Sequence, residues 1–104
     1  MTRIEWLTHA HVAPLVGQDV TVGADGRGTW TMRLVDAVEG SEPGGPGPEG
    51  QHRQQFSLLF RGPAEPQLPQ GTYAVTHDAI GEQHLFLVPI GRDAEGVRYE
   101  AAFA

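Results

Sequence analysis

Apolar side chains recur at every second position along most of this chain, and that period constrains its fold more than any other feature. In "TWTMRLVDAV", Trp30, Met32 and Leu34 share one side, while Thr29, Thr31 and Arg33 share the other. Successive side chains of a strand point to opposite faces, so this alternation describes a strand with one buried face. The pattern returns. "QDVTVG" aligns Val20 with Val22, and "FSLLFR" aligns Phe56, Leu58 and Phe60 against Ser57, Leu59 and Arg61. "GTYAVTH" aligns Tyr73, Val75 and His77, and "VRYEAAFA" aligns Val97, Tyr99, Ala101 and Phe103. "HLFLVPI" differs: Phe86, Val88 and Ile90 lie on one face, Leu85 and Leu87 on the other. Apolar residues on both faces predict a central or doubly covered strand. Pro89 predicts a bulge or an edge near its end.

Between these runs the chain is punctuated by turn formers. Fourteen glycines and eight prolines make 22 of 104 residues, a share that favours many turns over long helices. Glycine-rich reversals are predicted at "GADGRG" (23–28), at Gly81-Glu82 and at "GRDAEG" (91–96). Near the start, Thr8 caps a short helix over His9 to Ala13, which Pro14 and Gly17 bring to an end. The stretch Gly40 to Gln54 holds no large apolar residue and reads as a flexible Gly/Pro-rich surface loop. The expectation is one mainly β domain over residues 1–104: a small antiparallel barrel or sandwich of about six strands with one short N-terminal helix. The last four strands read as a meander. Closure into a barrel is favoured because it removes unpaired edges.

Composition excludes several functions. Cysteine is absent, so there is no disulfide framework and no thiolate chemistry. The net charge is −6, with seven arginines and no lysine, and an acidic chain repels phosphate backbones; nucleic acid is not an expected partner. No apolar run approaches the ~20 residues that cross a bilayer as a helix, so no membrane partner is expected. Glu5, His9 and His11 interrupt the N-terminal apolar residues, which leaves no signal-peptide core. The expected location is the cytoplasm at synthesis, compatible with later incorporation into an exported particle.

Chemistry-bearing residues are present but do not form a recognised constellation. His9, His11, His52, His77 and His84 lack the spacing of a zinc motif, and neither a metal nor a cofactor is expected. Asp36 with Glu39, and Asp93 with Glu95, sit where strands end or turn. Asp25-Gly26 and Asp93 lack the spacing of a calcium loop. Ser41 and Ser57 are outside any nucleophile-elbow pattern, and the glycine-rich stretches lack the phosphate-loop lysine. The chain is not expected to be an enzyme.

The stretch "FSLLFRGPAEPQLPQGTY", Phe56 to Tyr73, offers a surface instead. Gly62 and Pro63 stop a strand, and Pro66 and Pro69 stiffen the crossing to the next. Arg61, Pro63, Glu65, Pro66, Leu68 and Pro69 are the candidate partner-binding residues, with the Gly40–Gln54 loop beside them. The alternative is a small-ligand-binding barrel with a mouth near Trp6 or Trp30.

The quoted motifs also carry a resemblance. "FSLLFRGP", "LPQGTY", "FLVPIG" and "YEAAF", with an "LVGQDVTV" entry, resemble a family of small uncharacterised bacterial proteins over most of the chain outside 23–54. The family has no assigned activity, so the resemblance implies no catalytic residues. It implies an accessory protein associated with phage-tail-collar-like proteins. The expected function is then a non-enzymatic interaction or assembly module of a phage-tail-like fibre or particle, with a second copy of itself or a tail-collar-like protein as partner.

Overall fold

Helix α1 (His9–Val12) starts where Thr8 stands in an extended conformation. The His11 ring closes the first turn: its Nδ1 accepts the Thr8 backbone N–H at 3.0 Å, the role usually taken by a glutamate at this position. Pro14 turns the helix into a single 3₁₀ turn, Ala13–Leu15. Gly17, at φ +90°, ends the segment. Its N–H donates to Leu34 O at 2.7 Å, and Gln18 O accepts the Leu34 N–H at 3.0 Å. The computed structural model describes residues 7–24, 28–43, 54–65 and 67–103.

Six strands follow: β1 (Asp19–Ala24), β2 (Gly28–Pro43), β3 (Gln54–Gly62), β4 (Gly71–His77), β5 (Gly81–Asp93) and β6 (Gly96–Phe103). They form a closed antiparallel ring in the order β1-β2-β3-β6-β5-β4, with β4 returning to pair with β1. The expected barrel is therefore present. Inward positions are those the period predicts. Val20 and Val22, Met32 and Leu34, Leu58 and Phe60 are each at 4% exposure or less. From the other half of the ring come Val75, Leu87, Val97 and Tyr99, each at 1% or less.

Three register shifts interrupt the ladders, one of them between Glu39 and Pro43 near the end of β2, and the other two fall at bulges that adjust the faces. β2 carries an extra residue between Leu34 and Asp36. Because of it, Ala37 rather than Asp36 follows Leu34 onto the inner face, and the carboxylate stays outside. The second bulge falls between Pro89 and Gly91 of β5, where proline cannot donate to the ladder.

Four expectations are corrected. The last four strands are not a meander: β3 lies beside β2 and β6, and only β4, β5 and β6 run consecutively. The result is a Greek key, in which residues 63–70 carry the chain past two intervening strands. The β4–β5 reversal is at Asp78–Ile80, with Gly81 (φ +67°) already the first residue of β5. Third, β5 is covered on one face only, since Phe86 is 54% and Ile90 50% exposed. A small barrel has an outside, and no described residue covers this part of it. The predicted loop also begins later than Gly40, because β2 continues to Pro43; residues 44–53 lie outside the described set.

Antiparallel order brings three of the five strand connections to the crossing end of the ring, and the remaining two, with the helical segment, to the other. At the β1 entry, Leu7, Val12 and Leu15 from the helical segment join the core. At the opposite end the crossing segment contributes Leu68. Beyond Leu34, β2 has no strand on its β1 side among the described residues. The exposed backbone of Ala37 is instead satisfied by side chains: Asp36 Oδ1 accepts its N–H at 2.9 Å, and His9 Nε2 stands 3.0 Å from its carbonyl oxygen. Side chains thus occupy backbone groups that another strand could otherwise pair with.

The tightest approach is at the crossing end. Gly96, at φ +138°, lies against β3 so closely that an added Cβ would fall 2.0 Å from Gly62 O. Gly96→Ala is expected to lower stability by about 3 kcal/mol or more, from left-handed strain and the displaced strand together. Urea unfolding of the variant beside wild type measures it; a loss below about 1 kcal/mol would contradict the close approach.

Candidate functional site

The crossing segment has no ladder to join. Its eight residues, Pro63 to Gln70, reach up to ~26 Å when extended, ample for passing two strands spaced ~4.8 Å apart. Prolines suit such a path because they bring no N–H that needs a partner. Two tyrosines anchor it. Tyr99 points inward from β6, and its hydroxyl accepts the Leu68 N–H at 2.9 Å. Tyr73, from β4, donates its hydroxyl to the carbonyl of Pro69.

The predicted partner-binding residues separate at this point. Leu68 is 4% exposed and fills the barrel end, so its side chain serves the core. Pro63, Glu65 and Pro69 are exposed on the outside of the segment. Pro66 lies outside the described residues. Arg61, at the end of β3, is partly buried and faces outward, and its guanidinium meets the β5–β6 hairpin: Nη1 donates to Glu95, and Nη2 to Asp93 Oδ2 at 3.4 Å. Glu65 accepts from Arg92 at 2.9 Å, which ties the crossing segment to β5. The rim of this end is therefore a chain of ion pairs over a plug of leucine and tyrosine.

Several participants were missed from sequence. From sequence, Arg92, Asp93 and Glu95 are only parts of a reversal, and Arg33 and Tyr99 only strand positions. Their part depends on which strands adjoin. Only the outward parity of Arg33 and Arg61 was visible in advance.

Next to this rim lies the outer face of β5. Phe86 stands opposite Thr72, directly after the crossing segment enters β4, and Val88 and Ile90 continue the line. The four described histidines do not meet. His77 Nε2 is 2.9 Å from Gln18 Oε1, His84 Nε2 is 3.0 Å from Glu82, and His9 and His11 are engaged at the helix. No group of three or more His, Asp or Glu side chains able to hold a metal occurs among the described residues. Trp30 is half-buried against the core, while Trp6, His52 and Asp25-Gly26 lie outside the described residues.

Residues 7–103 match a family described as a domain of unknown function, DUF6916. The chain belongs to that family. The match spans every element of the DUF6916 barrel, from the helical plug to the end of β6. No curated protein and no solved structure matches the chain. No helix among the described residues is long and apolar enough to cross a membrane.

Substitutions separate plug from surface. Leu68→Ala is expected to cost about 2–5 kcal/mol through the cavity it leaves. Tyr99→Phe should cost about 1–3 kcal/mol, because the buried Leu68 N–H loses its acceptor, and amide exchange at Leu68 should accelerate. Glu65→Gln, at an exposed pair, should change stability by no more than ~0.5 kcal/mol. Denaturant unfolding checks all three; a silent Leu68→Ala would return that residue to the outer surface.

Proposed function

We propose that this DUF6916 domain is a non-enzymatic interaction module that works in an assembly, with a second copy of the chain as its first partner. The observation that carries this reading is the outer face of β5. Phe86 and Ile90 are each about half exposed on a rigid strand, beside a crossing segment braced by Tyr73 and Tyr99. Large apolar side chains on a flat, well-held surface favour protein contact, since burying them removes apolar area from water with little loss of chain freedom. The surface is rimmed by the Arg61–Glu95 and Arg92–Glu65 pairs, a polar border of the kind interfaces have.

The interior supports the same reading. Nineteen apolar residues in the core cluster, each at 5% exposure or less, fill the ring and both of its ends. A barrel filled in this way meets other molecules with its outside. The resemblance to small bacterial proteins associated with phage-tail-collar-like proteins makes a tail-like fibre or particle the assembly in which we place it, with a tail-collar-like protein as a further partner.

Light scattering across a concentration series tests the proposal. The expected result is a mass above that of the 11.2 kDa chain, returning to the monomer in a Phe86→Ser, Ile90→Ser double variant that keeps the wild-type circular dichroism. A chain that remains monomeric at every concentration and captures no protein from bacterial lysate would remove the proposal.

A further inference from the structure

The register sets three arginines in a row. Arg33 of β2, Arg61 of β3 and Arg98 of β6 stand directly opposite one another on the outer wall. Like charges so placed repel, and each needs an anionic neighbour. Arg61 has two, Glu95 and Asp93, and Asp93 also lies 4.0 Å from Arg98 Nε. Arg33 has one: its Nε is 3.4 Å from Asp19 Oδ1, and both side chains are more than half exposed. The two terminal nitrogens of Arg33, the fork that grips a carboxylate, have no partner among the described residues. Arg61 Nε is buried and likewise unpartnered. The two guanidiniums line one cleft with Thr31, Val35 and Pro63, which add a hydroxyl and two apolar walls.

We propose that this cleft receives an aspartate or glutamate side chain from an extended segment of a partner protein. The proposal rests on the interaction role given above and names the chemistry of one contact in it. A single carboxylate in this cleft would give the terminal nitrogens of Arg33, whose Nε alone meets Asp19, the acceptor they lack, with the Arg61 guanidinium beside it. A phosphate suits the cleft less well, because Asp19 and Glu95 line it too and would repel a dianion. In the free protein Glu95, in the two-residue turn between β5 and β6, holds Arg61 and so competes with the incoming carboxylate for the same guanidinium.

The probe is a short capped peptide alternating glutamate and glycine, titrated against the full chain while the arginine Nε–Hε signals are followed by NMR. Arg33 and Arg61 should shift saturably. Arg33→Gln, at an exposed position, should weaken binding about tenfold or more, as loss of a charge-assisted hydrogen-bond pair does. Glu95→Gln should tighten it several-fold by releasing Arg61. Equal shifts with the glutamine counterpart of the peptide or with inorganic phosphate would overturn the proposal, as would an Arg33→Gln variant that binds like wild type. A chain that self-associates through β5 yet ignores the glutamate peptide overturns this inference alone and leaves the assembly role standing.

Discussion

Three backbone pairs, Thr21–Thr76, Val22–Val75 and Gly23–Ala74, turn an open six-stranded sheet into a ring. They join residues more than fifty positions apart, so their loop-closure entropy must be offset by what the ring then encloses. Once β4 is committed to β1, it cannot lie beside β3. The chain leaving Gly62 must pass over the barrel end, and the rest of the architecture follows from that path. A crossing without ladder partners favours proline and needs side-chain anchors, which Tyr99 and Tyr73 supply from inside. A crossing over an open end can also drop one apolar side chain inward, which Leu68 does.

Closure also explains where charge gathers. The β5–β6 hairpin, the end of β3 and the crossing segment meet at a small rim, so Arg61 and Glu65 become neighbours of Arg92, Asp93 and Glu95 although they come from separate elements. Exposed pairs of this kind add little stability each. Their consequence is orientation: they hold the hairpin and the crossing segment in one arrangement beside the apolar face of β5. An open stretch of strand edge on β2, past Leu34, is partly blunted by the His9 ring and the Asp36 carboxylate.

Much of the fold was legible in the residues. Alternation alone separates Met32 and Leu34 from Thr31 and Arg33, and Phe60 from Arg61, because the period of two is a property of each strand by itself. The bulge near Pro89 and the short capped helix before Pro14 are equally local. Less of the candidate surface could be read. The two-sided apolar pattern at Leu85 to Ile90 looked like a strand covered on both sides, since periodicity reports which side chains share a face but not whether anything lies over it. Leu68 looked like part of an exposed proline-rich surface, because its own neighbours give no hint of the Tyr99 hydroxyl waiting across the barrel.

What the sequence determined by itself was the set of strands, their two faces and most of their stops, all of which depend on sterics and spacing within a few residues. What only the tertiary structure decided was who stands next to whom: β3 beside β6 rather than β4, Arg33 opposite Arg61 opposite Arg98, and Leu68 turned inward. Those neighbours are chosen by competition among whole pairings. A strand with a good inner face can satisfy it against any of several partners, and the choice falls to the arrangement that fills the ring and closes it.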